Sequence, residues 1–347
     1  APRPAGVIAR ERRLPRWLRR GTLPIGAIAL AYLILAPLSS IDAAQQAGLP
    51  LLTDKLWFRI ATTVATFVVM ASAWNIIGGL TGYASFGNVA FFGLGAYTVG
   101  VLVSSRGWPF ALALLVAPIV AAVFALLVGI PLLRLRGHYF AVATLGVGVA
   151  IGEVVNNVGP LGASTGLFLP IVRSDLTFFY LMLGAAMLAV GTTWLILRTR
   201  FGYGLLAIRE NEEAAAVIGV NTTVYKVAAF CIAAALTGLA GGIFAQWNSF
   251  INQENVFAIT SNVQMILMAV LGGAGTVLGP VAGAIVLELI IQTLAGGGSA
   301  AVYSQIGLGV LLAICVIFIP RGVIDFFGGQ SRLSLRYLRQ TLRETSA

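Results

Sequence analysis

A phosphate-binding loop needs a lysine followed by a hydroxyl residue at the end of a glycine-rich turn, where backbone N–H groups and the ammonium cradle phosphate oxygens. The only two lysines here, Lys55 and Lys226, precede Leu56 and Val227, so the loop is absent and any use of ATP must fall to another subunit. His138 is the only histidine and follows Arg134 and Arg136 closely. No second ligand accompanies it, so an interfacial role is expected rather than metal binding or proton transfer. Cys231 and Cys315 both fall inside apolar runs, where packing is the default reading. The chain is not expected to be an enzyme, to hold a cofactor or metal of its own, or to bind nucleic acid.

The acids that remain of interest are Glu153 and Glu288, both inside apolar runs. An ionisable group at membrane depth costs a few kcal/mol, so each should face protein or water. Glu288 has Gln292 one helical turn on and could share a hydrogen bond with it. Glu153 lies near the end of its run, with Asn156 and Asn157 following. These residues, with Thr81, Ser85 and Asn88, are candidates for the wall of a polar pathway. The alternative for each is a hydrogen bond between packed helices.

One interior stretch is dense in charge: RTRFGYGLLAIRENEEAAAVIGVNTTVYK, residues 198–226. Leu205 to Ile218 contains good helix formers without Pro or internal Gly, and Gly219 follows at a natural C-cap. A surface helix is expected there, with Arg209 pairing to Glu212 or Glu213 at helical spacing. Glu210 adds to its charge, and Ala214, Ala215 and Ala216 give it a small-residue surface.

The elements around this loop are membrane spans. Only 10% of residues are Asp, Glu, Lys or Arg, against roughly 25% in soluble domains, and mean hydropathy is +0.93. The expected fold is all-α and polytopic. Apolar runs at about 23–41, 57–77, 84–104, 109–133, 139–157, 176–197, 227–247, 262–274, 279–295 and 303–319 suggest ten segments. The 262–274 run is too short to cross unless its helix continues through the following glycines. Residues 23–41 also fit a signal peptide, although a retained first span suits the run's length better.

With the N-terminus in the cytoplasm, eighteen Lys and Arg fall on the inner side and four on the outer, Lys55, Arg59, Arg106 and Arg173. This positive-inside bias places both termini and the 198–226 loop in the cytoplasm. It divides the chain into a basic tail (1–22), a transmembrane domain (23–320) and a second basic tail (321–347). The net charge of +10 is thereby explained by topology and anionic lipid.

Two glycine-rich breaks interrupt the spans. The first contains Gly78, Gly79 and Gly82; the second contains Gly272, Gly273 and Gly275. Such interruptions either line a transport pathway or permit tight turns and close helix packing.

Several stretches resemble the LivM-type permease of bacterial branched-chain amino-acid ABC importers. They are TGYASFGNVAFFGLGAYT (81–98), LRLRGHYFAVATLG (133–146), RFGYGLLAIRENEEAAAVIGVNTTVYKVAAF (200–230), VLGGAGTVLGPVAGA (270–284) and FIPRGVID (318–325), in the family's order. Glu213-Ala214-Ala215 and Gly219 also match the EAA-x3-G pattern of ABC permeases, in which this helix docks into an ATPase groove. The Leu-Pro that closes that pattern elsewhere is missing, as is usual in this subfamily. Asn156 stands where relatives often carry a basic residue.

The resemblance implies a permease in the bacterial inner membrane that moves hydrophobic amino acids by alternating access. It also implies a second, homologous permease, two ATPase subunits that bind ATP and Mg, and a periplasmic or extracellular substrate-binding protein. Rival readings are a permease for urea, short amides or aromatic acids, and a proton-coupled secondary transporter using Glu153 and Glu288. A passive channel lacks any ring of charges.

Overall fold

The computed structural model describes residues 55–295, Arg173 excepted. Inside hydrocarbon each backbone N–H and C=O must be satisfied within its own segment or by neighbouring protein, which favours helices. The long helices are α1 (Lys55–Trp74), α2 (Asn88–Ser104), α3 (Phe110–Leu132), α4 (His138–Asn157) and α5 (Asp175–Arg198). Two short helices, α6 (Arg200–Glu210) and α7 (Glu212–Val217), lead to α8 (Thr222–Asn248), the small α9 (Gln253–Val256), α10 (Ile259–Gly273) and α11 (Gly279–Ala295).

Among the described residues six helical stretches are long and apolar enough to cross a bilayer, and Asn88–Ser104 and Gly279–Gln292 are shorter apolar helices. A polytopic helical membrane protein is therefore established. The runs at 23–41 and 303–319, both basic tails and with them the full count of ten and the placement of the termini lie outside the described residues.

The 262–274 run gains its length on the other side from the one expected. Its helix stops at Gly273, which has φ +119, and does not continue through the glycines. Instead α9 adds residues before it, and Gln253–Gly273 together make 21 residues, about 30 Å at helical rise. Polar residues Gln253, Glu254 and Asn255 hid this extension from an apolarity count.

Packing at the centre follows small residues. Ala113, Ala117, Ala121, Ala125 and Gly129 form a fully buried i+4 stripe on α3, while Leu115, Ile119 and Leu127 on its other face are exposed. The stripe meets α8, where a Cβ on Gly238 would stand 2.5 Å from the Ala121 methyl. Alpha-helices 2 and 8 approach as closely: a Cβ on Gly241 would lie 2.0 Å from the Phe92 carbonyl oxygen, and one on Gly95 1.9 Å from that of Gly238. Apolar surface gains little from burial when its alternative is lipid, so close backbone contact supplies the attraction.

The helix ends sort into two sets. At one, β1 (Leu167–Phe168) pairs antiparallel with β2 (Phe250–Ile251), and Gln246 Nε2 donates to the Pro170 carbonyl at 2.7 Å. At the other lie α6, α7, the 133–137 turn and both glycine breaks, joined by the contacts described next.

Candidate functional site

The charged loop folds as two helices rather than one. The extended backbone of Asn211 (φ −161°, ψ +110°) ends α6, and its Oδ1 caps α7 by accepting from Ala214 N–H at 3.0 Å. An asparagine favours a cap over a helix interior because its side chain competes for backbone groups. The single helix over 205–218 and the Arg209–Glu212 or Glu213 pair are therefore corrected, because the break redirects all three side chains.

The expected C-cap is present. Gly219 has φ +91, its N–H donates to Ala216 O at 3.0 Å, and Val220 N–H donates to Ala215 O at 3.0 Å. This is the Schellman pattern, in which left-handed glycine closes the last turn. Of the small residues only Ala215 is buried; Ala214 and Ala216 face out with Val217 and Ile218, which are 87% and 75% exposed. Glu210 is exposed beside them.

Glu212 and Glu213 reach different partners. Glu213 Oε1 accepts from Arg136 Nη1 at 3.0 Å on the surface, where screening by water leaves the pair worth little. Glu212 turns inward. Its Oε1 accepts from Lys226 Nζ at 2.7 Å, and its Oε2 accepts a short hydrogen bond from the Tyr83 hydroxyl. Lys226 also donates to Tyr83 Oη and to the Leu133 carbonyl, both at 3.1 Å, so its three protons have three acceptors. Burial, then the hydrogen bond to Glu212, push the Tyr83 hydroxyl well above its ordinary value. It stays a neutral donor. Burial pushes the Glu212 carboxyl up, but hydrogen bonds from Lys226 and Tyr83 outweigh it and hold the group below its ordinary value. A cleft of about 370 Å³ opens between Tyr83, Arg136, Asn211 and Glu213.

The two glycine breaks meet at this same end. The first begins as a π-helical turn, Asn75–Gly79, whose Gly78 lies under the Trp74 ring. Asn75 Oδ1 accepts from Gly275 N–H at 2.7 Å and its Nδ2 donates to Thr276 O at 2.9 Å, fastening the first break to the second. Gly82 and Gly275 both have positive φ, +77 and +87. Gly272 allows α10 and α11 to touch: a Cβ there would lie 1.7 Å from the Gly279 carbonyl oxygen. Arg209 crosses from α6 to this junction, donating from Nη1 to Gly79 O at 2.7 Å.

A family profile described as the branched-chain amino acid transport system / permease component matches residues 56–316. The chain belongs to that family. It is 30% identical over 316 residues to the high-affinity branched-chain amino acid transport system permease protein LivM of Salmonella typhimurium, covering 82% of this chain and 73% of the relative. The LivM protein of Escherichia coli K12 is 29% identical with the same coverage. LivH of Escherichia coli K12, the permease protein of the same name class, is 22% identical over 77% of this chain and 94% of its own length. No solved structure matches.

Within this permease the pathway candidates fall into three places. Thr81, Ser85 and Asn88 are buried around the first break, where Thr81 Oγ1 bonds back to Ile77 O at 2.5 Å and Ser85 O accepts from Trp74 Nε1 at 2.8 Å. The Asn88 amide is buried, and neither its oxygen nor its nitrogen has a hydrogen-bond partner among the described residues. Glu288 is buried on α11 and accepts from Gln292 Nε2 at 2.8 Å, the spacing expected. Glu153 is exposed on α4, with Asn156 half-buried nearby.

Sequence reading missed Asn75, Asn262, Thr144 and the inward role of Lys226. Asn262 Oδ1 accepts from Val89 N–H at 3.4 Å, its Nδ2 donates a short bond to Phe86 O, and Thr144 Oγ1 accepts from Phe86 N–H at 3.0 Å. The signal was available in part: Asn75, Asn262 and Thr144 are polar residues within apolar runs.

Proposed function

We propose that this chain is the membrane-spanning subunit of an ATP-driven importer for branched-chain amino acids, in the bacterial inner membrane. Membership of the permease family carries the reading. The 199–221 end is cytoplasmic in this proposal, as the positive-charge count favours, and it offers ATPase subunits an exposed apolar knob at Val217 and Ile218. ATP and Mg belong to those subunits. A second permease of the LivH kind completes the membrane domain, and a periplasmic protein delivers substrate.

The pathway runs past the first break, where the Asn88 amide, without a hydrogen-bond partner among the described residues, joins Ser85 and Thr81 in offering polar groups on an otherwise apolar wall. Movement of α6 and α7 as the ATPases close exposes that wall to one side or the other, a rigid-body change around interfaces. Glu153 tunes access from its exposed position and does not carry protons.

Uptake of labelled leucine by cells in which this gene is the test variable checks the cargo. Deletion should abolish uptake that isoleucine and valine compete for and that urea, acetamide and benzoate leave untouched. Competition by urea or benzoate instead would move the chain to another cargo class.

A further inference from the structure

We infer that Arg209 is the mechanical link between the cytoplasmic helices and both glycine breaks, a positioning residue for import that touches neither substrate nor nucleotide. The inference rests on the importer reading above and goes further, to how motion reaches the pathway. Arg209 Nη1 donates to the Gly79 carbonyl at 2.7 Å. Gly79 lies in the last turns of the first described span, where helix carbonyls lack intrahelical donors and the helix dipole is negative. A guanidinium there satisfies an acceptor and meets a favourable field.

The same nitrogen also fits against the second break. A Cβ on Gly275 would stand 2.4 Å from Arg209 Nη1, and one on Gly82 would stand 3.4 Å from Arg209 Cγ. The stem therefore lies along the first break while the head packs against the second. Asn75 already ties the breaks together through Gly275 and Thr276. Arg209 adds α6 to that junction. Among the described residues no other side chain of α6 hydrogen-bonds to either break; α7 meets the first break through Glu212 and Tyr83, and Glu213 reaches Arg136. A shift of α6 is thus transmitted to α1 and to the α10–α11 turn through one side chain. Arginine suits the task because its planar fork holds direction as well as charge.

The test uses the whole importer in proteoliposomes, with ATP hydrolysis and leucine uptake read from the same sample. Arg209→Ala should leave the ATPase subunits bound and hydrolysing while uptake per ATP falls about tenfold, within the usual span of coupling between sites. Gly275→Ala should lower the same ratio by pushing the guanidinium away. In an Arg209→Ala background Gly275→Ala should lose the part of its effect that comes from the colliding guanidinium and keep only the part set by its left-handed backbone at φ +87. A wild-type ratio in Arg209→Ala, or strictly additive losses in the double variant, overturns the inference. If Arg209→Ala does not accumulate, Gly275→Ala alone decides, and a wild-type ratio there overturns it too. Failure of the unaltered complex to couple ATP to uptake would instead refute the importer reading, whatever Arg209 does.

Discussion

Lys226 Nζ lies 2.7 Å from Glu212 Oε1, and the lysine side chain is only 4% exposed. The pair joins the start of α8 to the start of α7, with Tyr83 and the Leu133 carbonyl completing the shell. Four segments, two of them far from the loop in sequence, are thereby held at one point beneath the exposed face of α7.

Removing one member of such a pair strands the other. Lys226→Met should destabilise the protein by about 3–5 kcal/mol, read as a lowered unfolding midpoint in detergent. Adding Glu212→Leu to it should restore part of the loss, since neither charge is then left alone.

Acid should act through the same group. The Glu212 carboxyl is held below its ordinary value of 4.5, burial being outweighed by Lys226 and Tyr83. A depressed carboxylate contributes stability that is present above the unfolded value and lost as pH falls through the folded one. The midpoint should drop on acidification below pH 4.5, and Glu212→Gln should flatten that slope while lowering stability at neutral pH. An equal slope in both proteins would assign the acid sensitivity elsewhere.

Close helix contact sets a third expectation. Gly241→Ala places a methyl 2.0 Å from the Phe92 carbonyl oxygen and should cost about 1–3 kcal/mol as an overpacking substitution. Gly184→Ala, where nothing lies within 4 Å of the new Cβ, should be neutral or stabilising by roughly 0.5–1 kcal/mol. Thermal unfolding of the two variants side by side checks the contrast.

Periodicity and apolarity made most spans legible, because a bilayer demands long runs of hydrocarbon and little else. The α8 span, for example, follows directly from the apolar run at 227–247. The start of Gln253–Gly273 was not legible, since its first turn is polar and faces the sheet end of the molecule. Gly219 was readable because a left-handed cap has a residue preference. The break at Asn211 was not read, although asparagine before two glutamates is a capping signal, because helix propensity on either side outweighed it. The Arg209–Gly79 contact spans 130 positions, and no local pattern encodes a bond between an arginine and a distant carbonyl.

The exposed tip of the loop gives a fourth expectation. Val217→Asp with Ile218→Asp should weaken ATPase copurification about tenfold or more, as for truncation of an apolar anchor, with the permease still inserted and folded. Gly219→Val, which forces a β-branched residue to φ +91, should disturb the same surface by unwinding the α7 cap.

Energy source is the most direct test of the whole account. Leucine uptake is to be measured in proteoliposomes containing both permeases and both ATPases, with ATP inside or absent and with the proton gradient intact or collapsed by an ionophore. Uptake should require hydrolysable ATP and survive the ionophore. Uptake that continues without ATP and ends when the proton gradient is removed would contradict the account and make this chain a secondary transporter.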